Sequence, residues 1–472
     1  MESGVDSIIA EFGHCELGDL RRNQRAGMLA AQQVVQAGRS LAQTCGTWRD
    51  AKAAYRLLRN EAVTPDALLV GHRKATAARA MGCRVVLAAQ DTTTMSHGHR
   101  EPIDGMGPVD SDLRVQGFLV HSSLLIDPES NRVLGVAAQK IWARSWTPAP
   151  KGESGAERKK RSRESEHWAG VQEGVAEAFG RTGIEDGSWS PAAEGTPHII
   201  AVFDREGDIF EAMESLVSLG HGFVIRAIRD RKLKAPAGEI DHSFTAVEQA
   251  PELGRVTFDV PRRPGKPTRS ATLAVRARSM MLLPPANRGR KGAPLPVSMV
   301  LISEVDPPAN EEPVEWYLVT TEPCTTLTEA LTVVRYYRFR WRVEEFHMGL
   351  KSGCGAERVQ LESFHALTNY VAISSVAAWK LLTLRDEARS DAVDVASEIL
   401  NEVQKAILRV NFPRLASTPT AKEWLRAVAM LGGFFGRKSD GEPGWRTLWW
   451  GWKRLELLET GWRSALANSG YR

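Results

Sequence analysis

The sequence predicts a mixed α/β protein with a central sheet between two helical ends. Short apolar runs in the middle of the chain, CRVVLAAQ, HIIAVF and GFVIR, are typical of buried strands. Apolar residues recur at helical spacing near the N-terminus and again after residue 322. At 472 residues the chain is too long for one ordinary core, so we expect several domains.

The N-terminal part, residues 1–75, predicts short helices. LGDLRRNQRAGMLAAQQVVQAG spaces its apolar residues helically, and WRDAKAAYRLLRN is a second candidate that places Arg56 and Arg59 one turn apart. Arginines on one side of such a unit are typical of a DNA-binding head. They are equally typical of a solvated surface, and the pattern alone leaves both interpretations open.

Residues 76–235 predict the order strand, strand, strand, helix, strand, helix, strand. GFLVHSSLLID and RVLGVAAQKIWAR flank the turn PESN, which indicates a β-hairpin. ESEHWAGVQEGVAEAFGRTG is a helix candidate, and HIIAVFDREGDIFEAMESLVSLG predicts a strand followed by a helix. This order indicates a sheet covered by helices.

Residues 236–322 predict a β-rich insertion with a basic surface. Proline and glycine separate alternating stretches such as SATLAVRARSMML and WYLVTTE. Between Arg255 and Lys291 there are ten Lys/Arg and one acid, Asp259, and this imbalance favours a polyanion partner. Helical signals return in 323–375 and 376–472, and the C-terminal end is rich in tryptophan (Trp424, Trp445, Trp449, Trp450, Trp452 and Trp462).

Composition and motifs exclude several classes of protein. The net charge of +4 identifies no partner by itself, and five scattered cysteines without a C-x-x-C pair disfavour a disulfide framework or a zinc site. The N-terminus lacks signal-peptide features, and no apolar run approaches the length of a membrane span. No G-x4-G-K-[ST] motif occurs, which disfavours a phosphate-loop ATPase. We expect a cytoplasmic protein.

Two aspartates follow apolar strand candidates. Asp91 is expected to close the strand CRVVLAAQ, and Asp204 to close HIIAVF. If these strands are neighbours, their ends lie ~4.8 Å apart and the two carboxylates imply a cation between them. Oxygen ligands without a Cys/His set select Mg²⁺ or Mn²⁺. An alternative for Asp204 is a helix N-cap, because a helical pattern follows it.

The stretch RYYRFRWRVEEFHMGLKSG, residues 335–353, supplies a third acid. At about 100° per residue along a helix, Tyr337, Arg340, Glu344 and Lys351 share an arc of about 60°. Glu345 then lies off that face. A stripe of this kind is a poor apolar core, so it is either a solvated face with Arg–Glu pairs or one wall of a site. We expect Glu344, and not Glu345, to be the functional glutamate.

These residues resemble the DDE transposases of the IS-four family, and within it the Tn-five (IS-fifty) cut-and-paste type. The motifs AAQDTTTMSH, VFDREGDI and Y-x2-R-x3-E-x6-K carry the resemblance. LGDLRRNQR, YRLLRN, EWYLVTTEP and LGGFFGRKSDGEPGWRTLWWGW extend it over nearly the whole chain.

The resemblance implies a ribonuclease-H-like catalytic core, in two parts at 76–235 and 323–375, interrupted by the insertion at 236–322. A DNA-binding domain (1–75) and a dimerisation domain (376–472), both helical, would flank it. Asp91, Asp204 and Glu344 would hold two Mg²⁺ or Mn²⁺ ions, one activating water or a 3′-hydroxyl and the other stabilising the leaving oxygen. The expected reaction is a nick, a DNA hairpin on the transposon end, and strand transfer.

The resemblance also implies the partners and the DNA contacts. The partners would be inverted-repeat transposon-end DNA, target DNA and a second copy of the chain, at the bacterial nucleoid. The side chains implied to contact DNA hold phosphates near the scissile bond (Tyr337, Arg340, Lys351), handle a flipped base (Arg226, Trp316) and recognise the end (Arg22, Arg25, Arg56).

Departures from the family pattern affect recognition of the end sequence. A Lys-Tyr pair used for end recognition is Val35-Gln36 here, and a lysine just after Arg226 is Ile228. The three acids are all present. Two alternatives remain at this point: a non-catalytic DNA-binding dimer that represses transposition, and a Mg²⁺-dependent nuclease without strand transfer.

Overall fold

The computed structural model describes residues 4–98, 101–110, 114–146, 164–184, 188–236, 240–260, 269–285, 293–389, 400–437 and 440–469. Five helices form the N-terminal part: α1 (Gly4–Ala10), α2 (Leu20–Val35), α3 (Leu41–Thr44), α4 (Trp48–Leu58) and α5 (Pro65–Ala80). Side chains of Asp19, Thr47 and Thr64 cap the starts of α2, α4 and α5. Helix α5 continues across residue 75, where the sequence predicted a domain boundary.

The middle of the chain follows the predicted order, with one additional two-residue strand before the hairpin. Its elements are β1 (Val85–Ser96), β2 (Gly107–Pro108), β3 (Gln116–Asp127), β4 (Arg132–Trp142), α6 (Glu164–Ala178), β5 (His198–Phe203), α7 (Phe210–Ser218) and β6 (Gly222–Arg226). Strands β3 and β4 form the predicted hairpin. Strand β1 pairs antiparallel with β3 and parallel with β5, which in turn pairs parallel with β6.

Both faces of the first half of β1 are buried, which explains its apolar run VVLAA. Leu87 and Ala89 lie in one core cluster with helices of the N- and C-terminal parts. Val86 and Ala88 lie in a second cluster under α6. The sheet therefore sits between two helical layers.

The stretch predicted as an insertion adds four strands to this same sheet. It contains α8 (Ser243–Glu248), β7 (Glu252–Val260), β8 (Arg269–Leu282), β9 (Leu295–Glu304) and β10 (Glu315–Thr320). Each of these strands pairs with the next, and β10 pairs with β6. The strand order is β2-β3-β1-β5-β6-β10-β9-β8-β7, with β4 on β3.

Several of the described basic residues of this stretch are neutralised by ion pairs, so the stretch carries less unpaired positive charge than the sequence predicted. Arg269 forms ion pairs with Glu304 and Glu311, and Glu252 pairs with both Arg255 and Arg276. The sequence count from Arg255 to Lys291 leaves out these three acids. The other basic side chains of the window, apart from Arg278, lie outside the described residues. The basic surface stays a prediction for those positions.

The C-terminal part is helical. It contains α9 (Leu327–Arg338), α10 (Trp341–Met348), a π-helical turn (Gly349–Gly353), α11 (Phe364–Arg389), α12 (Glu402–Asn411), α13 (Ala421–Leu431) and α14 (Trp445–Ser469). At Gly451 of α14 a Cβ would lie 1.8 Å from the carbonyl oxygen of Val428 in α13, so only glycine permits this close crossing. Within the described ranges, none of these helices or the earlier ones is long and apolar enough to cross a membrane.

A buried polar network attaches the N-terminal helices to the sheet. The Glu11 carboxylate lies 2.6 Å from Nδ1 of His72 and accepts a hydrogen bond from Arg79 at 2.6 Å. Nε2 of His72 accepts from the Val136 N–H of β4 at 3.0 Å, which leaves Nδ1 as the donor to Glu11. Burial raises the pKa of Glu11, but hydrogen bonds and charge from His72 and Arg79 outweigh it and hold that pKa at about 2.

We expect Glu11→Gln to lower the melting temperature, because Arg79 and His72 lose a buried charged partner at a cost of about 2 kcal/mol or more. The depressed pKa adds a pH dependence. The stabilisation by Glu11 is complete above about pH 4.5 and is lost as the pH falls towards 2. Thermal melts of both chains from pH 7 down to pH 2 should therefore converge at the acid end.

Glu16→Gln is the matched control. Glu16 is exposed and lies 3.9 Å from Lys74, so its loss should leave the melting temperature nearly unchanged. A Glu11→Gln chain as stable as this control at neutral pH would show that the network contributes nothing.

Candidate active site

Asp91 lies inside β1 and does not end it, so the sequence prediction was wrong on this point. Strand β1 continues to Ser96 because β3 pairs with it as far as that residue. On the other side, its pairing with β5 stops at Ala89 and Val202. Asp91 therefore stands just beyond the last parallel pair, on the face of Leu87 and Ala89.

Asp204 directly follows β5 and faces the same layer. Because Ala89 pairs with Val202, the register places Asp204 beside Asp91. The Asp204 side chain also accepts a hydrogen bond from the Glu206 N–H at 2.9 Å and caps a 3₁₀ turn, Arg205–Gly207. Asp204 therefore both caps a helical turn, as the alternative interpretation predicted, and lies beside Asp91.

The stretch 335–353 is not one helix, so the predicted arc through all four residues does not apply. Hydrogen bonds from Arg340 N–H to the Tyr337 carbonyl and from Val343 N–H to the Arg340 carbonyl are of the i→i−3 type. They tighten the chain between α9 and α10. Lys351 lies beyond α10, in the π-helical turn.

Glu344 and Arg340 nevertheless meet over Asp91. Helix α10 packs against the sheet through Val343 and Phe346, in the same core cluster as Leu87 and Ala89 of β1. The Arg340 guanidinium forms an ion pair with Glu344 and lies 4.0 Å from Oδ2 of Asp91. The arginine thus stands between the two acids.

Glu345 has a different environment. Its carboxylate accepts hydrogen bonds from Arg342 at 2.8 Å and from both terminal nitrogens of Arg385 at 2.6 Å. The Arg385 side chain is only 2% exposed. Glu345 therefore holds α10 to α11, and the adjacent glutamates differ in what they contact.

The negative charge of the clustered acids Asp91, Asp204 and Glu344 is only partly compensated by Arg340. Burial, followed by the charge of Asp204, raises the pKa of Asp91 to about 7, even though Arg340 and the Thr92 N–H oppose the shift. Among the described residues, no group of three or more His, Cys, Asp or Glu side chains is arranged to hold a metal ion. The donor set is nevertheless all oxygen and electron-rich, which fits a hard divalent cation such as Mg²⁺ or Mn²⁺.

His347 is a site neighbour that the sequence prediction missed. It lies one turn after Glu344, is 5% exposed, and places Nδ1 4.0 Å from Oδ2 of Asp91. Burial lowers the pKa of His347 to about 3, so the ring is neutral. The i,i+3 spacing from Glu344 was the only signal in the sequence.

The predicted DNA contacts Arg226 and Trp316 lie next to Tyr337. Arg226 ends β6, and its guanidinium is 5.8 Å from the ring centre of Trp316 on β10. The Trp316 ring meets Tyr337 edge-on at 5.2 Å. Tyr337 is 7% exposed, and burial raises its pKa. These three side chains form a continuous wall beside Arg340.

The remaining predicted contacts are dispersed. Lys351 lies 3.5 Å from Glu357, whose carboxylate accepts from the Ser96 N–H at the end of β1. In the N-terminal helices, Arg22 donates to the Leu17 carbonyl and Arg25 pairs with Asp50 at 2.8 Å. Arg56 is exposed. Their contact with DNA stays a prediction.

Three protein families match different parts of the chain, and together they define its architecture. Residues 6–63 match the family described as transposase DNA-binding, residues 153–379 match the transposase DDE domain, and residues 376–471 match the transposase Tn5 dimerisation domain. The chain has a Tn5-type DDE transposase architecture. The resemblance inferred from the sequence motifs is confirmed.

Among solved structures, the Tn5-type chain is similar to the piggyBac transposase in a synaptic complex with hairpin DNA. The identity is 10% and the TM-score 0.30, over 71% of this chain. The match spans 60% of the length of that transposase. Membership of the DDE family implies dependence on a divalent metal in general.

Proposed function

We propose that this chain is a DNA transposase that moves its element by cutting and pasting. Water cleaves one strand at the transposon end and frees a 3′-hydroxyl, which attacks the opposite strand and forms a DNA hairpin. Water then opens the hairpin, and the same 3′-hydroxyl attacks target DNA. The observation that carries this proposal is the approach of Asp91, Asp204 and Glu344 to one another within a DDE-type chain.

The strand order supports a ribonuclease-H-like core. Three antiparallel strands (β4, β3, β1) continue into two parallel ones (β5, β6), and the acids lie where the parallel pairing ends. We assign this core to 76–235 and 323–375, the inserted strands to 236–322, and the helical DNA-binding and dimerisation domains to 1–75 and 376–472.

In this proposal Asp91, Asp204 and Glu344 would hold two divalent ions. Such ions supply Lewis-acid stabilisation of the charge that develops on the phosphodiester. Arg340, which in the described structure pairs with Glu344, would turn to a phosphate oxygen when DNA and metal are bound. Lys351 would hold a neighbouring phosphate, and Tyr337 would support Arg226.

The partners follow from the same domains. The helical N-terminal part would bind the inverted repeats of the element, with Arg22, Arg25 and Arg56 at the interface. The C-terminal part would pair two copies of the chain in a synaptic complex, since α14 carries exposed apolar side chains such as Leu457 (73% exposed).

We expect Trp316→Ala to slow formation of the DNA hairpin by about 10- to 100-fold, because stacking of a flipped base on an aromatic ring contributes ~1–3 kcal/mol. The first nick needs no flipped base and should be affected less. Single-turnover assays that resolve nicked from hairpin DNA measure both steps.

Tyr317→Phe is the control for that variant. Tyr317 lies next along β10, stacks on Phe244 and donates to Glu248, on the other side of the sheet. It should leave both steps unchanged. If Trp316→Ala slowed the nick as much as the hairpin, the tryptophan would be a general support for Tyr337.

The proposed function is tested by incubating the chain with Mg²⁺ and DNA that carries the inverted repeats flanking its gene. Nicked, hairpin and strand-transfer products support the transposase, and EDTA should remove all three. Cleavage without strand transfer would instead support a nuclease. Specific binding without any cleavage would support a repressor.

A further inference from the structure

A basic cleft lies beside α9 and α10, on the side away from Asp91 and Glu344. Its volume is about 780 Å³, and it is lined by the turn between β3 and β4, by α9 and α10, and by α11. Four arginines lie in its wall: Arg132, Arg335, Arg338 and Arg342. Among the described residues that line it, Asp386 is the only acid.

Most of this positive charge is not neutralised. Asp386 is held by Arg342 and by Arg385. Arg335 donates to the Pro128 carbonyl, and Arg338 lies over the Phe258 ring at 5.3 Å. Within the described ranges, Arg132, Arg335 and Arg338 form no ion pair, and all three are exposed.

The arginines of the stretch 335–342 thus divide between two sides. Arg340 points with Tyr337 towards the acids, whereas Arg335, Arg338 and Arg342 line the cleft. A helix with its side chains is about 10–12 Å across. A phosphate in the cleft is therefore a different phosphate from the one that would be cleaved at Asp91.

The spacing of two exposed arginines matches a DNA backbone. Arg335 and Arg338 are three residues apart on α9, a rise of about 4.5 Å along the helix. Phosphates along one DNA strand advance by about 3.4 Å each along the duplex axis. The pair therefore matches two neighbouring phosphates, and guanidinium groups bind phosphate through paired hydrogen bonds.

We propose that this cleft binds the backbone of duplex DNA away from the scissile bond, without reading its sequence. The inference rests on the proposed function in that the chain handles DNA. In this proposal Arg335, Arg338 and Arg132 hold the backbone of duplex DNA outside the inverted repeat, and they take no part in recognising the transposon end.

The test measures the salt dependence of binding to a short duplex that lacks the inverted repeat. Each lost phosphate contact lowers the slope of log K against log salt by about 0.9. Arg335→Gln and Arg338→Gln should each make the slope shallower by about 0.9, and the double variant by about 1.8. Lys422→Gln, which removes a positive charge from α13 that is paired with Glu442 at 3.1 Å and lies outside the parts proposed to bind DNA, should leave the slope as in the native chain.

Thermal melts accompany the binding curves. If the double variant does not fold, Arg338→Gln alone decides, since its side chain only covers the Phe258 ring. A folded double variant with the native slope overturns the inference, and so does an affinity loss at every salt concentration with no change in slope. Cleavage of inverted-repeat DNA by the native chain tests the proposed function separately, so the two failures are distinguishable.

Discussion

Glu344→Gln is expected to abolish DNA cleavage without loss of stability, whereas Glu345→Gln is expected to lower stability and retain cleavage. Glu344 meets Arg340 above Asp91, at the proposed metal-binding position. Loss of a ligand there removes several kcal/mol of transition-state stabilisation, and about 4 kcal/mol corresponds to a 1,000-fold slower reaction.

The opposite expectation for Glu345 follows from its partners. Arg342 and the buried Arg385 both donate to its carboxylate. A glutamine leaves part of that charge uncompensated, at a cost of about 1–3 kcal/mol. Arg385 keeps Asp386 as a second partner, so the fold should survive.

Both variants are compared in one experiment with two readouts. Single-turnover cleavage is measured well below the melting temperature of the weaker variant, and the melting temperatures are recorded by calorimetry. A crossed result, with activity lost in one variant and stability in the other, supports the assignment. Equal loss of cleavage in both would remove the distinction between the two glutamates.

Asp91→Asn is expected to raise the melting temperature in EDTA and to remove the stabilisation by Mg²⁺. Asp91 is 16% exposed and lies near two other acids, and among the described residues Arg340 is the one positive charge that opposes them. Its charged carboxylate therefore destabilises the fold when no metal is bound. The native chain should gain about 1–3 kcal/mol from millimolar Mg²⁺, since a ligand bound only by the folded state stabilises it. The variant gains stability and loses function.

Asp208→Asn separates this effect from the general loss of a buried acid. Asp208 is buried, accepts from the N–H groups of Ile228 and Arg229 at 2.9 Å, and pairs with Arg231. Its replacement should lower the melting temperature and keep the Mg²⁺ response. If Asp91→Asn behaved in the same way, Asp91 would be a structural acid and not a metal ligand.

The sheet and the acids were predictable because their signals are local. Apolar runs of strand length identified β1, β5 and β6, and in β1 and β5 an acid follows the run near the point where their parallel pairing ends. The choice of Glu344 over Glu345 needed only the periodicity of one helical turn. Arg340 and Glu344 are four residues apart, and this spacing survives the break before α10.

Features that depend on distant partners were not predictable. The continuation of β1 past Asp91 is imposed by β3, and the i→i−3 bonds at residues 340–343 arise where α9 meets α10. Ion pairs between Arg269 and acids more than thirty residues away made the insertion less basic than its composition. The arginine cleft depends on α11, whose position no local pattern specifies.

The strand order also sets an order of folding. Strands β7 to β10 pair with one another in chain order and can form as a unit from short-range contacts, whereas the pairing of β6 with β10 joins strands that are far apart in the sequence. We expect amides of β8 and β9 to be protected in pulsed hydrogen exchange before those of β6. Because Glu344 follows β10 in the chain, the sheet can then be complete before the third acid reaches it.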